Sequence, residues 1–150
     1  MKKTFVVAAA LFATWAVAAA AGPFDAMKGK MKEGLYEYKM DMDMPGMPGG
    51  MGKMPTQTIQ KCVTAKEMEE GNFARGPNQK QDCEIKDVKF SGNEGSYKMV
   101  CSGQHPMTAD VKLHFRDNGF TSDMNMTMNQ GGQQMNMKQH LEGTYKGACK

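Results

Sequence analysis

A strict two-residue alternation between positions 35 and 44 is the feature that most constrains the fold. Successive side chains of a strand point to opposite faces of a sheet. The segment therefore predicts a strand with the large side chains on one face and mostly charged residues on the other. The large residues are Tyr36, Tyr38, Met40, Met42 and Met44. Met124, Met126 and Met128 repeat the spacing late in the chain, as do Met135 and Met137. We therefore expect a sheet with a thioether-lined face.

Methionine must supply much of the core. After residue 21 the chain keeps fourteen Leu, Ile, Val and Phe residues but sixteen methionines. So few aliphatic residues would indicate disorder in a highly charged chain, but the charges here nearly balance. Methionine fills irregular interiors well because its side chain is unbranched and flexible. Core packing is therefore our first interpretation of the alternating methionines.

Residues 1–21 have the pattern of a signal peptide. Lys2 and Lys3 precede an apolar run over 4–17, and alanines at 18–21 suit a signal peptidase. The run is shorter than a usual membrane span, so an uncleaved anchor is the lesser alternative. We expect a periplasmic or secreted protein with no membrane span once the signal is removed.

Removing the signal also removes the apparent basicity. Lys2 and Lys3 are two of the nineteen basic residues, so 17 basic residues remain against 16 acidic ones. This balance gives no electrostatic basis for nucleic-acid binding. The remaining 129 of the 150 residues suit one domain. We expect a short helix or linker over 22–33 and a single disulfide-stabilised β domain over 34–150.

Four cysteines in an exported chain of this size predict two disulfides. Three pairings are possible. We favour Cys83–Cys101, because the turn-like segment 91–95 lies midway and would set two strands side by side, and this leaves Cys62 for Cys149. A cysteine metal site is the lesser alternative, since no Cys-x-x-Cys occurs.

Turn and cap signals divide the rest of the chain into short elements. Asp117–Gly119 predicts a hairpin, and the Thr64–Glu67 capping box predicts a helix that ends at Gly71. Helical spacing indicates a short amphipathic helix over 23–33, and Gly143 is interpreted as a β-bulge. The whole pattern predicts a mainly β fold, an antiparallel meander of about seven strands with one or two short helices. Short connections favour a curved sheet or open barrel.

Several segments together resemble one bacterial protein family. They are GLYEYKMDMDMPGMPGG from Gly34, TQTIQKCVT from Thr56, the spaced Cys83 and Cys101, and GTYKGAC at the end. This pattern resembles the domain-of-unknown-function family 3617, whose members are small exported proteins. The resemblance implies an exported bacterial domain with disulfides. It implies no activity and no catalytic residues.

An apolar pocket on the thioether-lined face is our leading functional hypothesis. A curved sheet lined by Met and aromatic residues would accept varied apolar ligands, such as fatty acyl or other amphipathic molecules. A filled interior is the alternative. We expect a non-enzymatic binding or envelope-accessory module. The candidate ligand-binding residues are Tyr36, Tyr38, Met40, Met42, Met99, Met124 and Met126.

Copper(I) binding is the second functional hypothesis. The loop after the first strand is rich in Gly and Pro, so its methionines are not expected in the core. Thioethers select Cu(I) among biological metals. The candidate copper ligands are Met44, Met47, Met51 and Met54. A third hypothesis treats exposed methionines as reversible oxidation sinks.

Enzymatic motifs are weak in this sequence. No serine lies in a Gly-x-Ser-x-Gly elbow, and the expected disulfides leave no thiolate nucleophile. His114 falls on the polar side of its predicted strand, where a solvated imidazole is the simpler interpretation. We expect no catalysis, and no cofactor other than copper(I) under the second hypothesis.

Overall fold

A single antiparallel sheet dominates the structure, a computed structural model that describes residues 22, 24–46, 52–71, 82–102 and 106–150. Within those residues there are seven strands: β1 (Gly34–Asp43), β2 (Gln57–Val63), β3 (Asp82–Ser91), β4 (Glu94–Ser102), β5 (Met107–Arg116), β6 (Gly119–Gln130) and β7 (Gln133–Gly147). Their order is β2-β1-β7-β6-β5-β4-β3, so the sheet is open, with edges at β2 and β3. The predicted mainly β fold is confirmed.

Short hairpins explain most of this order. Tight turns join β3 to β4, β5 to β6 and β6 to β7, and the turn between β5 and β6 is the predicted hairpin at Asp117–Gly119. Gly131 and Gly132 form the β6–β7 turn with φ of 60° and 83°, positive values that glycine adopts without steric cost. The pairing of β1 with β7 joins strands that are far apart in the sequence. It runs from Tyr36 opposite Tyr145 to Asp43 opposite Lys138.

One side of the sheet, here called the inner face, forms the core. In β5, for example, Val111, Leu113 and Phe115 are buried while the residues between them are exposed. The buried members of the inner face are Tyr36, Tyr38, Val63, Tyr97, Met99, Cys101, Ala109, Val111, Leu113, Phe115, Phe120, Ser122, Met124 and Leu141. The alternation read from the sequence is therefore the pattern of burial in these strands.

The N-terminal segment packs on the same core. Phe24, Met27 and Met31 are buried, and the Phe24 ring meets the Tyr97 ring edge to face at 5.2 Å between centroids. The helix predicted over 23–33 is wrong in extent. Only a 3-10 turn over Asp25–Met27 forms, because Gly29 has φ of 86°, a value incompatible with a right-handed helix.

The predicted capping box is confirmed at the start of α1 (Ala65–Glu69). The backbone N–H of Glu67 donates to Thr64 Oγ1 at 3.3 Å, and the Thr64 N–H donates to Glu67 Oε2 at 3.0 Å. α1 is followed by Gly71, with φ of 69°. A Cβ at Gly71 would lie 2.3 Å from the Phe24 ring, so this glycine lets the end of α1 approach the N-terminal segment.

Two disulfides link segments of the sheet. The structure pairs Cys83 with Cys101 across β3 and β4, and Cys62 of β2 with Cys149 beyond β7. This is the pairing that the sequence favours. The bonded cysteines are 18 and 87 residues apart, for which the chain-entropy relation gives about 3 and somewhat over about 4 kcal/mol of stabilisation.

The bulge predicted at Gly143 is wrong. Gly143 pairs in regular register with Tyr38 on one side and Phe120 on the other. The two rings meet above it with centroids 6.0 Å apart, and a Cβ at this position would lie 2.5 Å from the Phe120 ring. The glycine therefore makes room for aromatic packing. The register instead shifts between Leu35 and Tyr36, where β1 pairs with β7, and between Lys86 and Lys89 of β3, beside Asp87 with φ of 54°.

Adding a methyl group at Gly143 tests this aromatic packing. We expect Gly143→Ala to lower the free energy of unfolding by about 1–3 kcal/mol, the usual cost of overpacking a core. Urea denaturation measures the change. Lys138→Ala, on the exposed side of β7, is the control and should shift stability by less than about 0.5 kcal/mol. Wild-type stability in Gly143→Ala would contradict the packing argument.

Candidate functional site: the sulfur end of the inner face

The inner face changes in composition from one end to the other. The aromatic end consists of Tyr36, Tyr38, Phe90, Tyr97, Phe115, Phe120 and Tyr145. Its rings, together with Phe24, have centroids 5.2–6.4 Å apart. These separations are typical of favourable aromatic pairs. Burial raises the pKa of Tyr36 and of Tyr38 above the usual tyrosine range, so both hydroxyls stay protonated at neutral pH.

The opposite end of the inner face, here called the sulfur end, carries two rows of side chains across the strands. In the outer row each residue is the register partner of the next on the neighbouring strand. This row consists of Cys83, Cys101, Met107, Met128 and Met135. The second row consists of Ile85, Met99, Ala109, Met126 and Met137. Strands lie about 4.8 Å apart, so five strands give each row a width of about 19 Å.

β1 extends the sulfur end on its other side. Met40 and Met42 lie opposite Leu141 and Gln139 of β7, and both are half-buried, as is Met44 just after the strand. The loop after β1 returns beside it. Met44 N–H donates to Gly52 at 2.7 Å, and Met54 N–H donates to Met42 at 3.0 Å.

Burial divides the seven predicted ligand-binding residues into two groups. Tyr36 and Tyr38 are 2% exposed, and Met99 and Met124 are 7% and 8% exposed, so these four belong to the core. Met40, Met42 and Met126 are half-buried and accessible from the sulfur end. The structure thus brings all seven onto one face but leaves only three open to solvent.

Four further methionines of the sulfur end are half-buried: Met107, Met128, Met135 and Met137. These four are not among the ligand-binding residues predicted from the sequence. A signal was present, because Met126 and Met137, like Met128 and Met135, are equidistant from the Gly131–Gly132 turn. A hairpin centred on that turn must place each pair side by side.

The predicted copper ligands are only partly described. Met44 is half-buried and Met54 is 42% exposed, whereas Met47 and Met51 lie outside the described residues. The loop set therefore stays a prediction. Among the residues that the structure describes, no group of three His, Cys, Asp or Glu side chains is placed to hold a metal ion.

Charged groups lie on the outer face of the sheet, away from the sulfur end. His140 Nδ1 and Asp123 Oδ1 are 2.6 Å apart there. Arg116 donates to Glu142 at 2.9 Å, and this hydrogen bond lowers the pKa of the Glu142 carboxyl. His114 is exposed, as predicted. The thioethers of the inner face are uncharged, so the sulfur end suits apolar groups or soft ions better than anions.

Three of the clefts between described residues lie away from the sulfur end. One of about 570 Å³ is bordered by Phe90, Lys112 and His114, and another of about 450 Å³ by Tyr36, Asn93 and Arg116. The third, of about 310 Å³, lies between Met27, Met31 and Met68, under α1. Their borders mix charges of both signs with apolar residues, and they contain none of the predicted copper ligands.

Comparison with known proteins defines the family. A family model described as a protein of unknown function, DUF3617, matches residues 31–149. The chain belongs to the DUF3617 family. The resemblance seen in the sequence is therefore confirmed, and the matched region of this DUF3617 protein includes both disulfides and the whole sulfur end. No curated protein and no solved structure matched the chain. No helix in the described part is both long and apolar enough to cross a bilayer.

In the described part of the chain, Ser122 is the one polar side chain that is buried on the inner face. It is 1% exposed, between Leu113 and Leu141 on the neighbouring strands. Among the described residues its Oγ finds no hydrogen-bond partner. A buried hydroxyl without a partner is destabilising by about 1–3 kcal/mol.

Removing that hydroxyl should stabilise the fold. We expect Ser122→Ala to raise the free energy of unfolding by about 1 kcal/mol. Alanine removes the buried hydroxyl, and with it the cost of taking that hydroxyl out of water, and leaves the backbone unchanged. Chemical denaturation measures this, with Ser91→Ala as an exposed serine control. A loss of stability in Ser122→Ala would mean that the hydroxyl has a partner that stabilises the folded chain.

Proposed function

We propose that this DUF3617 protein is an exported, non-enzymatic binding module that holds the apolar chain of an amphipathic molecule against its sulfur end. The observation that carries the proposal is the row of half-buried thioethers across adjacent strands. Seven methionines of the inner face are neither fully buried nor fully exposed: Met40, Met42, Met107, Met126, Met128, Met135 and Met137. A contiguous apolar patch that soluble proteins keep at their surface usually marks a binding site.

Methionine suits such a surface because its side chain adapts to irregular partners. Three rotatable bonds and a polarizable sulfur let one patch contact apolar chains of different shape. The half-buried methionines lie on four adjacent strands, β1, β7, β6 and β5, which together span about 14 Å, the scale of an acyl chain lying across the strands. Met and aromatic surroundings without charge would favour the apolar chain and leave a polar head group in water.

The other end of the inner face supports this choice of location. Aromatic packing, the N-terminal segment and α1 fill the aromatic end, and Phe24 is only 1% exposed there. The sulfur end has no comparable cover among the described residues, since Met128 and Met135 remain half-buried. A ligand therefore has access at one end of the face only.

The signal-peptide pattern and the disulfides both support export of the protein. Residues 1–21 have the signal-peptide pattern, and two disulfides suit an oxidising compartment. The family resemblance implies an exported bacterial domain, and within that class we place this protein in the periplasm. A protein there that shields apolar chains from water would act as a carrier or accessory factor of the envelope.

Charge introduced into the sulfur end tests the binding proposal. We expect the wild-type protein to bind a fluorescent fatty acid, measured by titration, and to retain acyl-bearing molecules in native mass spectrometry. Met135→Lys with Met137→Lys should weaken binding by about tenfold or more, because each ammonium must be desolvated against the ligand. The pair Met135→Leu and Met137→Leu should bind like the wild type, because leucine keeps the apolar surface.

Gln134→Lys with Asn136→Lys is the matched control, because this pair adds the same two charges at exposed positions of the same strand. It should leave affinity within about twofold of wild type. The proposal is wrong if the wild type binds no acyl probe and carries no acyl-bearing molecule. It is also wrong if the Lys pair binds as tightly as the Leu pair.

A further inference from the structure

Three adjacent strands present a thioether at the same level of the sheet. Met107 of β5 lies opposite Met128 of β6, and Met128 lies opposite Met135 of β7. An adaptable apolar surface explains the use of methionine in general, but it does not require three thioethers that are direct register partners. The repeated choice of sulfur at three register partners therefore points to chemistry that is specific to the thioether.

We propose that Met107, Met128 and Met135 form a Cu(I)-binding site, with Met126 and Met137 of the second row as adjacent thioethers. The site differs from the loop set that the sequence predicts, and it requires neither Met47 nor Met51. It also goes beyond the proposed binding of an apolar chain.

The register gives the spacing that a shared ion needs. Directly opposite residues of antiparallel strands have Cβ atoms about 4.5–5.5 Å apart. Met128 has such a neighbour on each side, and Met126 follows along the same strand face at about 7 Å. Three rotatable bonds per side chain let sulfurs at this spacing turn toward one ion. All three ligands are half-buried, so an ion can enter without unfolding the sheet.

The chemistry of the donors selects the metal. Soft thioethers bind Cu(I), whereas hard cations prefer carboxylate and carbonyl oxygens. Competing thiolates are absent from the described residues, because Cys83 and Cys101 beside Met107 are joined in a disulfide, as are Cys62 and Cys149. Binding involves no electron or proton transfer. Cu(I) exchanges its solvent or carrier ligands for sulfur lone pairs.

This donor set has a consequence for pH. Metal affinity normally falls at low pH because histidine, thiol and carboxyl ligands must lose protons. A thioether has no proton to lose. The Cu(I) affinity of the site should therefore stay within about threefold between pH 5.5 and 7.5, whereas a histidine ligand would lose affinity over this range because it protonates near pH 6.5.

Competition with a chromophoric Cu(I) chelator tests the site. The disulfide-bonded protein is titrated anaerobically with Cu(I) supplied as its acetonitrile complex, without thiol reductants. We expect wild-type protein to withdraw Cu(I) from the chelator. The triple variant Met107→Leu, Met128→Leu, Met135→Leu should lose at least about tenfold in affinity. Leucine has nearly the volume of methionine, so the fold should be kept.

The matched control is Met40→Leu, Met42→Leu, Met124→Leu, which removes three thioethers from the same face but not from the outer row. It should bind Cu(I) like the wild type. If the triple variant of the row fails to fold, Ag(I) added to wild-type protein gives an independent measurement. The methyl resonances of Met107, Met128 and Met135 should then shift before those of Met40 and Met42.

The inference is overturned if wild-type protein takes no Cu(I) from the chelator, or if the row variant binds as well as the control. It is equally overturned if only Met44→Leu with Met54→Leu weakens binding, or if affinity falls steeply below pH 6.5. Acyl-probe binding should survive in the row variant, since leucine preserves apolar contact. Failure of the copper site and failure of the proposed function are therefore distinguishable.

Discussion

Aromatic packing at one end of the inner face is the interaction on which the rest of the structure depends. Tyr38 and Phe120 reach across β7 and meet above Gly143, which ties the first strand to the middle of the sheet. Each such ring pair contributes about 0.5–1.5 kcal/mol beyond its buried area. Phe24 adds the N-terminal segment to the same cluster. Because this end is well packed, the opposite end of the face can remain partly open.

Local signals predicted most of the fold. Two-residue alternation located the strands, the Asp117–Gly119 turn fixed a hairpin, and the Thr64 cap marked α1. The errors arose where distant residues decide the outcome. Gly143 is a glycine because Tyr38 and Phe120 need its space, which no local pattern reveals. The shift beside Asp87 likewise depends on how β3 pairs with β4. The helix predicted over 23–33 failed for a local reason instead, because Gly29 has a backbone angle that a right-handed helix does not accept.

The sequence predicted which face of the sheet carries the candidate site, but not which part of that face is open to solvent. The same alternation contains Met124, which is buried, and Met128, which is half-buried. The two-residue period of a strand tells on which side of the sheet a residue lies. Whether that residue is buried depends on what covers that side. Here the N-terminal segment and α1 cover the aromatic end. Methionine therefore has two roles that composition alone could not separate. It fills the core at Met27, Met31, Met99 and Met124, and it lines an accessible surface at the sulfur end.

Mapping of methionine oxidation tests this division most directly. Dilute hydrogen peroxide converts accessible thioethers to sulfoxides, and peptide mass spectrometry reports the rate at each position of the folded protein. The account predicts that Met128, Met135 and Met137 oxidise several-fold faster than Met27, Met99 and Met124. Equal rates in the two groups, or faster oxidation of Met99 and Met124, would contradict a face that is packed at its aromatic end and open at its sulfur end.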